Sequence, residues 1–225
     1  MTTRWPDTVA VIPALNEAGT IAAVVAPLMR TVPVIVVDDG STDDTAVCAE
    51  RAGATVVRNP ENLGYDAALG RGFAEAQRAG MTRVITLDAD GEHVPGLVAV
   101  FAEALQEVSM VIGCRPCKQR VTERLFGAYT ALRYGVHDIL CGMKGYELTL
   151  YEANDGWDHC GSIGTELTLF ALARQVPFRE IPVHGLRRQD QPRFGRTLRA
   201  NARILGAMMR VIRRTPGSGQ ALREG

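Results

Sequence analysis

The chain has 225 residues, of which 46% are hydrophobic and 22% are charged, so it can bury a sizeable core and is not disordered by composition. Its 25 basic and 25 acidic residues cancel to a formal net charge of zero. A generic nucleic-acid binder would show a basic excess, so we expect one globular domain and no nucleic-acid partner.

The charge is nevertheless distributed unevenly along the chain. Acidic residues outnumber basic ones by 15 to 7 in residues 1–110, whereas basic residues outnumber acidic ones by 18 to 10 in residues 111–225. Such a division suits a site in which acidic groups hold a cation and basic groups hold phosphates. The alternative is that two oppositely charged surfaces simply neutralise each other.

Targeting and redox signals are sparse. The first seven residues lack the apolar stretch of a signal peptide, and no apolar run approaches the roughly 18 residues of a membrane span. Five cysteines argue against a disulfide framework and for a reducing compartment, so we expect a cytoplasmic protein. Cys114 and Cys117 form a C-x-x-C pair that Cys141, His159 and Cys160 could extend, but the ragged spacing favours ordinary thiols over a zinc site.

Strand-like and helix-like segments alternate in the first half of the chain. Apolar and β-branched runs predict strands at 8–12, 34–37, 55–57, 83–87 and 110–113. Helical spacing predicts helices at 18–29, about 41–52 with Ser41 or Thr42 as the cap, 65–79 and 96–107. This alternation predicts an α/β fold with a doubly wound, mostly parallel sheet flanked by helices. Such sheets bind ligands at the carboxyl ends of their strands.

The alternation is looser beyond residue 115. Helices are predicted at 123–134 and 164–174, and a strand at 179–183. Residues 196–214 predict a basic amphipathic helix, because Leu198, Leu205 and Ile212 recur at seven-residue spacing among arginines. A Pro-Gly-Ser-Gly run follows, which is typical of disorder. We therefore predict one domain over residues 1–214 and a disordered tail over 215–225.

One pair of acidic residues points to metal chemistry. The sequence has no G-x-G-x-x-G, P-loop or G-x-S-x-G motif, but Asp88 and Asp90 stand at the end of an apolar strand, one residue apart. Both can converge on one divalent ion, with Glu92 as a third oxygen ligand. Carboxylate oxygens select Mg²⁺ or Mn²⁺. The alternative is a pair of solvated turn acids.

Four motifs in order carry a family resemblance. They are VIPALNE at 11–17, VVDDGSTDDT at 36–45, NLG at 62–64 and LDADGE at 87–92. Together with segments 138–146, 180–183 and 187–195, they resemble the family 2 glycosyltransferases of the GT-A fold, and within them the dolichol- or polyprenyl-phosphate mannose synthase-like branch. The resemblance spans about residues 8–200, nearly the whole chain.

The resemblance implies a Rossmann-like GT-A domain that binds a GDP- or UDP-linked sugar with Mg²⁺ or Mn²⁺. Asp88 would support the ribose or the metal, Asp90 would bind the metal and is taken as catalytic, and Glu92 replaces a common glutamine. Asp39 would accept a hydrogen bond from a ring N–H of the base. Guanidinium groups suit the phosphates. The implied donor-site residues are Pro13, Ala14, Asn16, Glu17, Asp39, Asp88, Ala89, Arg115, Arg124, Arg187 and Arg193.

The acceptor side departs from the family pattern, at 139–141, at Lys144 in place of arginine and at 187–193. The resemblance implies inversion by direct displacement. An alcohol acceptor then needs a general base, whereas a phosphate acceptor is already anionic near pH 7. Glu166 is the best candidate for a catalytic base and His93 a weaker one, although Glu166 could simply begin a helix. This weak signal favours polyprenyl phosphate as the acceptor of the hexose.

Three functions stay open. The first is transfer to polyprenyl phosphate, the second is transfer to a hydroxyl of a glycan or polysaccharide, and the third is a degenerate, catalytically weak subunit that binds a nucleotide or a partner. The helix at 196–214 could lie on an anionic membrane surface, which would make the enzyme peripheral, or pack on the domain or a partner subunit. A membrane subunit and a homo-oligomer are both compatible with these patterns.

Overall fold

The protein is described by a computed structural model, which covers residues 4–91, 94–116, 121–157 and 164–183 together with Gly206. Its elements in chain order are β1 (Thr8–Ala14), α1 (Ile21–Leu28), β2 (Val34–Asp38), α2 (Thr45–Arg51), β3 (Thr55–Arg58), α3 (Tyr65–Arg78), β4 (Arg83–Thr86), α4 (Leu97–Ala104), β5 (Met110–Cys114), α5 (Val121–Tyr134), β6 (Lys144–Glu147), α6 (Leu148–Ala153), α7 (Glu166–Ala173) and β7 (Phe178–Pro182). Of the predicted helix at 196–214 only Gly206 is described, and the predicted tail lies outside the described residues.

The described strands form one seven-stranded sheet in the order β3-β2-β1-β4-β6-β5-β7. β6 is antiparallel to β4 and β5, and the other pairs are parallel. The carboxyl ends of β1, β2, β3 and β4 therefore meet at one edge, called here the carboxyl edge. Helices α1, α2 and α4 supply buried side chains to one face, and α3, α5, α6 and α7 to the other. This arrangement confirms the predicted α/β fold with a mostly parallel sheet.

Two predicted boundaries were wrong for local reasons. β1 continues through Pro13, which pairs with Val37, whereas its pairing with β4 ends at Val11. The missing N–H of Pro13 thus costs no ladder bond on the β4 side. Neither Ser41 nor Thr42 caps α2, which begins at Thr45, because the Ser41 hydroxyl accepts a hydrogen bond from the Asn16 amide instead.

β6 and α6 are not predicted by any pattern in the sequence. Residues 144–147 read Lys-Gly-Tyr-Glu, which has neither alternation nor a β-branched run. Tertiary pairing on both sides makes this segment a strand, and the tyrosine is fully buried between the sheet and the helices. Within the described residues, no helix is long and apolar enough to cross a membrane.

At Gly72, α3 lies directly against the sheet. A Cβ at this position would overlap Val11 Cγ1 and lie 3.2 Å from Val37 Cγ2. We expect Gly72→Ala to lower the free energy of unfolding by about 1–3 kcal/mol, because the helix must move away from β1. Gly70→Ala, in the same helix, meets only Trp157 Cβ at 3.5 Å and should stabilise by up to about 1 kcal/mol. Urea denaturation of both variants checks this; equal effects would contradict the close approach.

Candidate functional site

The loops that follow β1 and β2 are tied to each other at the carboxyl edge. The Asn16 amide donates to Ser41 Oγ at 2.8 Å, and Asn16 Oδ1 accepts from the Thr42 amide at 2.8 Å. The Glu17 amide donates to Thr45 Oγ1 at 2.7 Å. Asn16 has φ +52°, a left-handed conformation that asparagine tolerates better than most residues. The predicted nucleoside-site segment 13–17 is therefore held in place by backbone-directed bonds across two loops.

Two carboxylates add to this set of hydrogen bonds between residues 16–17 and 41–45, which is called here the latch. Glu17 Oε2 accepts from Thr20 Oγ1 at 3.0 Å, and Asp43 Oδ2 accepts from the Ala18 amide at 3.2 Å. Desolvation acts to raise the pKa of Asp43, but hydrogen bonds from the Thr45 hydroxyl and from the Ala18 and Thr45 amides outweigh it and leave the pKa lowered. Asp43 is consequently ionised wherever the protein works near neutral pH.

Asp39 organises the next loop. This side chain is 4% exposed, and its Oδ1 accepts from Asn59 Nδ2 at 2.6 Å and from the Leu63 amide at 3.0 Å. Its Oδ2 accepts from the Gly64 amide at 2.8 Å. An ionised carboxylate has about four acceptor positions, so these bonds leave room for one further donor at Oδ2. The predicted contact to a base N–H is compatible with that remaining position, and the structure adds a role in shaping the loop.

Asp88 and Asp90 follow the end of β4. The strand ends at Thr86, so the two aspartates lie on the turn beyond it and strand alternation alone does not align them. Asp88 Oδ1 accepts from the Tyr65 hydroxyl at 3.3 Å, and Ala89 between the two aspartates is buried. A Cβ at Gly142 would lie 2.9 Å from Asp88 Cγ, so only glycine leaves room for this carboxylate. Asp88 is thus fixed from two sides.

The side chains around Asp88 and Asp90 can be compared with the oxygen ligands that a divalent cation requires. Asp88 and Asp90 are both half-buried and offer hard oxygen donors at the carboxyl edge. The third predicted ligand, Glu92, and the weaker base candidate, His93, lie outside the described residues. Among the residues that the structure describes, no group of three or more histidine, cysteine or acidic side chains is placed to hold a metal. Among the described cysteines, Cys48, Cys114 and Cys141 are not joined in disulfides, and Cys117, His159 and Cys160 are not described.

The structure describes two of the four predicted phosphate-binding arginines, and these two differ in their partners and exposure. Arg115 makes a bidentate pair with the buried Asp138, with Nε to Oδ2 at 2.7 Å and Nη2 to Oδ1 at 2.9 Å. Desolvation acts to lower the pKa of Arg115, but the hydrogen bonds and charge of Asp138 outweigh it and raise the pKa. Arg124 is exposed on α5, and Arg187 and Arg193 lie outside the described residues. The Arg115–Asp138 pair was not predicted, although both residues were noted.

Glu166, the predicted base, is the first residue of α7 and is half-buried. The chain enters this helix through Gly164, whose amide donates to Asp66 Oδ1 at 2.6 Å and whose carbonyl accepts from Lys144 Nζ at 2.6 Å. A Cβ at Gly164 would lie 3.5 Å from Tyr65 Cε1. The chain two residues before α7 is therefore beside the tyrosine that bonds Asp88. Sequence reasoning missed Tyr65, Asp66 and Lys144, and only the substitution of lysine for arginine at 144 gave a signal.

Burial and neighbouring charges shift the pKa values of Tyr65, Lys144 and Cys141. Desolvation and the negative charges of Asp88 and Asp66 raise the pKa of Tyr65 well above its usual value. Burial lowers the pKa of Lys144 to about 8, and burial raises the pKa of Cys141 to about 12. Tyr65 and Cys141 are therefore neutral near pH 7, whereas Lys144 is mostly charged.

A family model described as glycosyl transferase family 2 matches residues 9–167, a span that includes the latch, Asp39 and both aspartates after β4. The chain belongs to glycosyl transferase family 2. The predicted family is therefore confirmed, and this protein is an enzyme of the glycosyltransferase class.

Relatives of this glycosyltransferase carry more specific names. A polyprenol monophosphomannose synthase from Mycolicibacterium smegmatis is 26% identical and covers 91% of this chain and 85% of its own length. An undecaprenyl-phosphate mannosyltransferase from Micrococcus luteus is 27% identical over 64% of this chain and 68% of its own. The structure superposes with TM-score 0.71 on glucosyl-3-phosphoglycerate synthase from Mycobacterium tuberculosis, crystallised with Mn²⁺ and UDP-glucose, at 24% identity over 94% of this chain and 80% of that one. This last likeness establishes the GT-A fold.

Proposed function

We propose that this family 2 glycosyltransferase moves a hexose from a nucleoside-diphosphate sugar to a polyprenyl phosphate, with inversion and with Mg²⁺ or Mn²⁺. The observation that carries the proposal is the likeness to a polyprenol monophosphomannose synthase over 91% of the chain. The undecaprenyl-phosphate mannosyltransferase supports the same acceptor class.

The donor would lie at the carboxyl edge. Pro13, Ala14, Asn16 and Glu17 would border the nucleoside, since the latch to 41–45 holds this segment rigid without needing a ligand. Asp39 would accept from the base through the position left at Oδ2. A preorganised site of this kind reduces the ordering entropy that binding costs.

Asp88 and Asp90 would hold the cation, with Glu92 as the third oxygen ligand. A bound divalent ion neutralises charge on a diphosphate leaving group. Tyr65 orients Asp88 through its hydroxyl, and Gly142 leaves the room that this carboxylate occupies. The half-burial of both aspartates strengthens their attraction for a cation relative to a fully solvated pair.

The acceptor phosphate would be the nucleophile and needs no protein base. The described surface offers one feature that suits a lipid carrier of that phosphate. Leu125 and Leu132 are seven residues apart on one side of α5 and are 58% and 92% exposed, and Arg124 and Arg133 beside them are also exposed. An apolar strip flanked by basic residues favours an anionic membrane surface.

Replacing both strip leucines by serine tests this surface. We expect Leu125→Ser with Leu132→Ser to lower the partition coefficient onto anionic vesicles about tenfold or more, because two leucine side chains no longer enter the interface. The matched control is Val100→Ser, which removes a 45% exposed apolar side chain from α4 on the other face of the sheet. Sedimentation with vesicles measures the bound fraction. Equal partition of the unchanged chain, the double variant and the control would show that the exposed leucines of α5 do not bind the membrane surface.

Transfer to a hydroxyl of a glycan is the second candidate. The observation that favours it is the position of Glu166, which starts α7 two residues after Gly164, the residue that packs beside the tyrosine bonded to Asp88. A carboxylate there could serve as the general base that an alcohol acceptor needs.

The deciding experiment has two stages on the full chain. Calorimetric titration with GDP and UDP, each with and without Mn²⁺, shows whether a nucleotide binds and whether the metal is needed. The matching sugar nucleotide is then offered with undecaprenyl phosphate or with an oligosaccharide. Labelled lipid product supports the proposal, and labelled oligosaccharide alone supports the second candidate. No binding of either nucleotide by folded protein would overturn both and leave a degenerate subunit.

A further inference from the structure

The peptide units on either side of Gly164 are held by two different elements. Asp66, in the first turn of α3, accepts from the Gly164 amide at 2.6 Å. Lys144, the first residue of β6, donates from Nζ to the Gly164 carbonyl at 2.6 Å. One residue immediately ahead of α7 is thereby fixed to both the sheet and α3.

This attachment point adjoins the proposed metal site. Tyr65 packs beside Gly164 and donates to Asp88, and Glu166 begins α7 two residues after Gly164. On the sheet side, Lys144 pairs in register with Thr86, two residues before Asp88. A shift of the Gly164 carbonyl would therefore move the first turn of α7 relative to Tyr65 and Asp88.

Burying the ammonium group of Lys144 costs stability, so the fold by itself does not explain a lysine at this position. Lys144 is only 2% exposed, and at such a buried position an ammonium group loses nearly all its hydration. An apolar side chain of similar volume would often be as stable or more so at such a position. The ionisable groups around it are Asp66 from α3, Asp138 and the neutral thiol of Cys141 from the segment before β6, and Arg115 after β5.

We propose that Lys144 is a positioning residue for glycosyl transfer, holding the Gly164 carbonyl so that the first turn of α7, with Glu166, keeps its place relative to Tyr65 and to the Asp88 that this tyrosine bonds. It acts through the main chain and not by touching substrate. The inference rests on the proposed function for its kinetic readout and on the two hydrogen bonds of Gly164 for its structural one.

A pH profile separates positioning from simple stability. Burial lowers the pKa of Lys144 from its ordinary 10.5 to about 8, and Arg115 acts in the same direction, whereas the acidic groups of Cys141, Asp138 and Asp66 act to raise it. Because the folded pKa is lower than the unfolded one, the stability penalty of the buried charge is full below pH 8 and fades between pH 8 and 10.5. Transfer should instead weaken over that range, since a neutral amine donates a weaker hydrogen bond.

The experiment compares the full-length chain with Lys144→Met, Lys144→Gln and Lys144→Arg. The control is Thr130→Val, which removes another fully buried hydrogen bond, from Thr130 Oγ1 to the Val136 carbonyl at 2.8 Å, in α5. Each protein is measured for kcat and KM with the sugar nucleotide and undecaprenyl phosphate, for nucleotide affinity, and for amide hydrogen exchange over residues 165–169.

We expect Lys144→Met and Lys144→Gln to lower kcat about tenfold or more, the size of effect that loss of a charge-assisted hydrogen bond produces. Nucleotide affinity should change less than about twofold, and exchange over 165–169 should accelerate. Lys144→Arg should restore kcat and move the alkaline limb upward, because its guanidinium stays charged. Thr130→Val should lose stability while keeping kcat.

Unchanged exchange over 165–169 in both neutral variants would overturn the proposal, whatever their activity. So would a fall in kcat that Thr130→Val reproduces in proportion to its lost stability. If the wild-type chain itself transfers no sugar to the lipid phosphate, the proposed function fails, and the exchange measurement alone decides whether Lys144 holds α7.

Discussion

Replacing Asp90 by asparagine is expected to lower kcat/KM for sugar transfer about a thousandfold, at the upper end of what loss of one preorganised charge costs an enzyme. The amide is nearly the same size but lacks the negative charge that attracts a divalent cation. Because Asp90 is half-buried on a turn, the free energy of unfolding should change by less than about 1 kcal/mol. Steady-state transfer assays and calorimetric Mn²⁺ titration measure the two effects.

The matched control for this variant is Asp155→Asn. Asp155 is exposed on the turn after α6 and has φ +56°, a conformation that asparagine also adopts. Both variants remove one carboxylate, so a general effect of net charge would appear in both. Activity of the Asp90 variant within about tenfold of the control would contradict a role for Asp90 in holding the cation.

Replacing Asp39 by asparagine should give the largest loss of stability, about 2–4 kcal/mol, and should also remove nucleotide binding. The carboxylate accepts from Asn59 Nδ2 and from the Leu63 and Gly64 amides through both oxygens. An asparagine NH₂ group must face at least one of these donors, which leaves buried groups without acceptors. The loop at 59–64 then loses its attachment to the end of β2. Urea denaturation and calorimetry with GDP and UDP are the measurements.

Asp44→Asn provides the comparison within the same loop. Asp44 is exposed, and its side chain makes no capping hydrogen bond at the start of α2. The same chemical change there should alter stability by no more than about 0.5 kcal/mol and leave nucleotide affinity intact. An Asp39 variant as stable as the Asp44 variant would show that the three hydrogen bonds contribute little to the fold.

The donor and acceptor sides of the site differ in how much of each lies within the described residues. On the donor side, Asp39, Asp88 and the latch at Asn16 and Glu17 are described atom by atom. On the acceptor side, Arg187 and Arg193 lie outside the described residues, and Arg115 is engaged by Asp138. The acceptor assignment therefore rests on the relatives and on the exposed strip of α5, which the vesicle and transfer experiments examine directly.

The sequence by itself determined the alternating elements and the positions of the polar motifs. The run at 34–37 predicts a strand buried on both faces, because every residue in it is apolar. The structure has this strand as β2, which spans Val34–Asp38. Local patterns also place Asn16, Asp39 and Asp88 after strand ends, and parallel strands must bring those ends to one edge. These features depend on neighbouring residues only, so a reading along the chain finds them.

Only the tertiary structure decided which partners these residues have. Residues 144–147 become a strand because β4 and β5 offer free edges on both sides, not because of their own composition. Asp39 meets the Gly64 amide, Arg115 meets Asp138 and Lys144 meets Gly164 at sequence separations of 20 to 25 residues. Asp66 meets Gly164 from 98 residues away. Such contacts arise when the sheet assembles, and no local periodicity encodes them, because periodicity records which face is buried and not what lies against it.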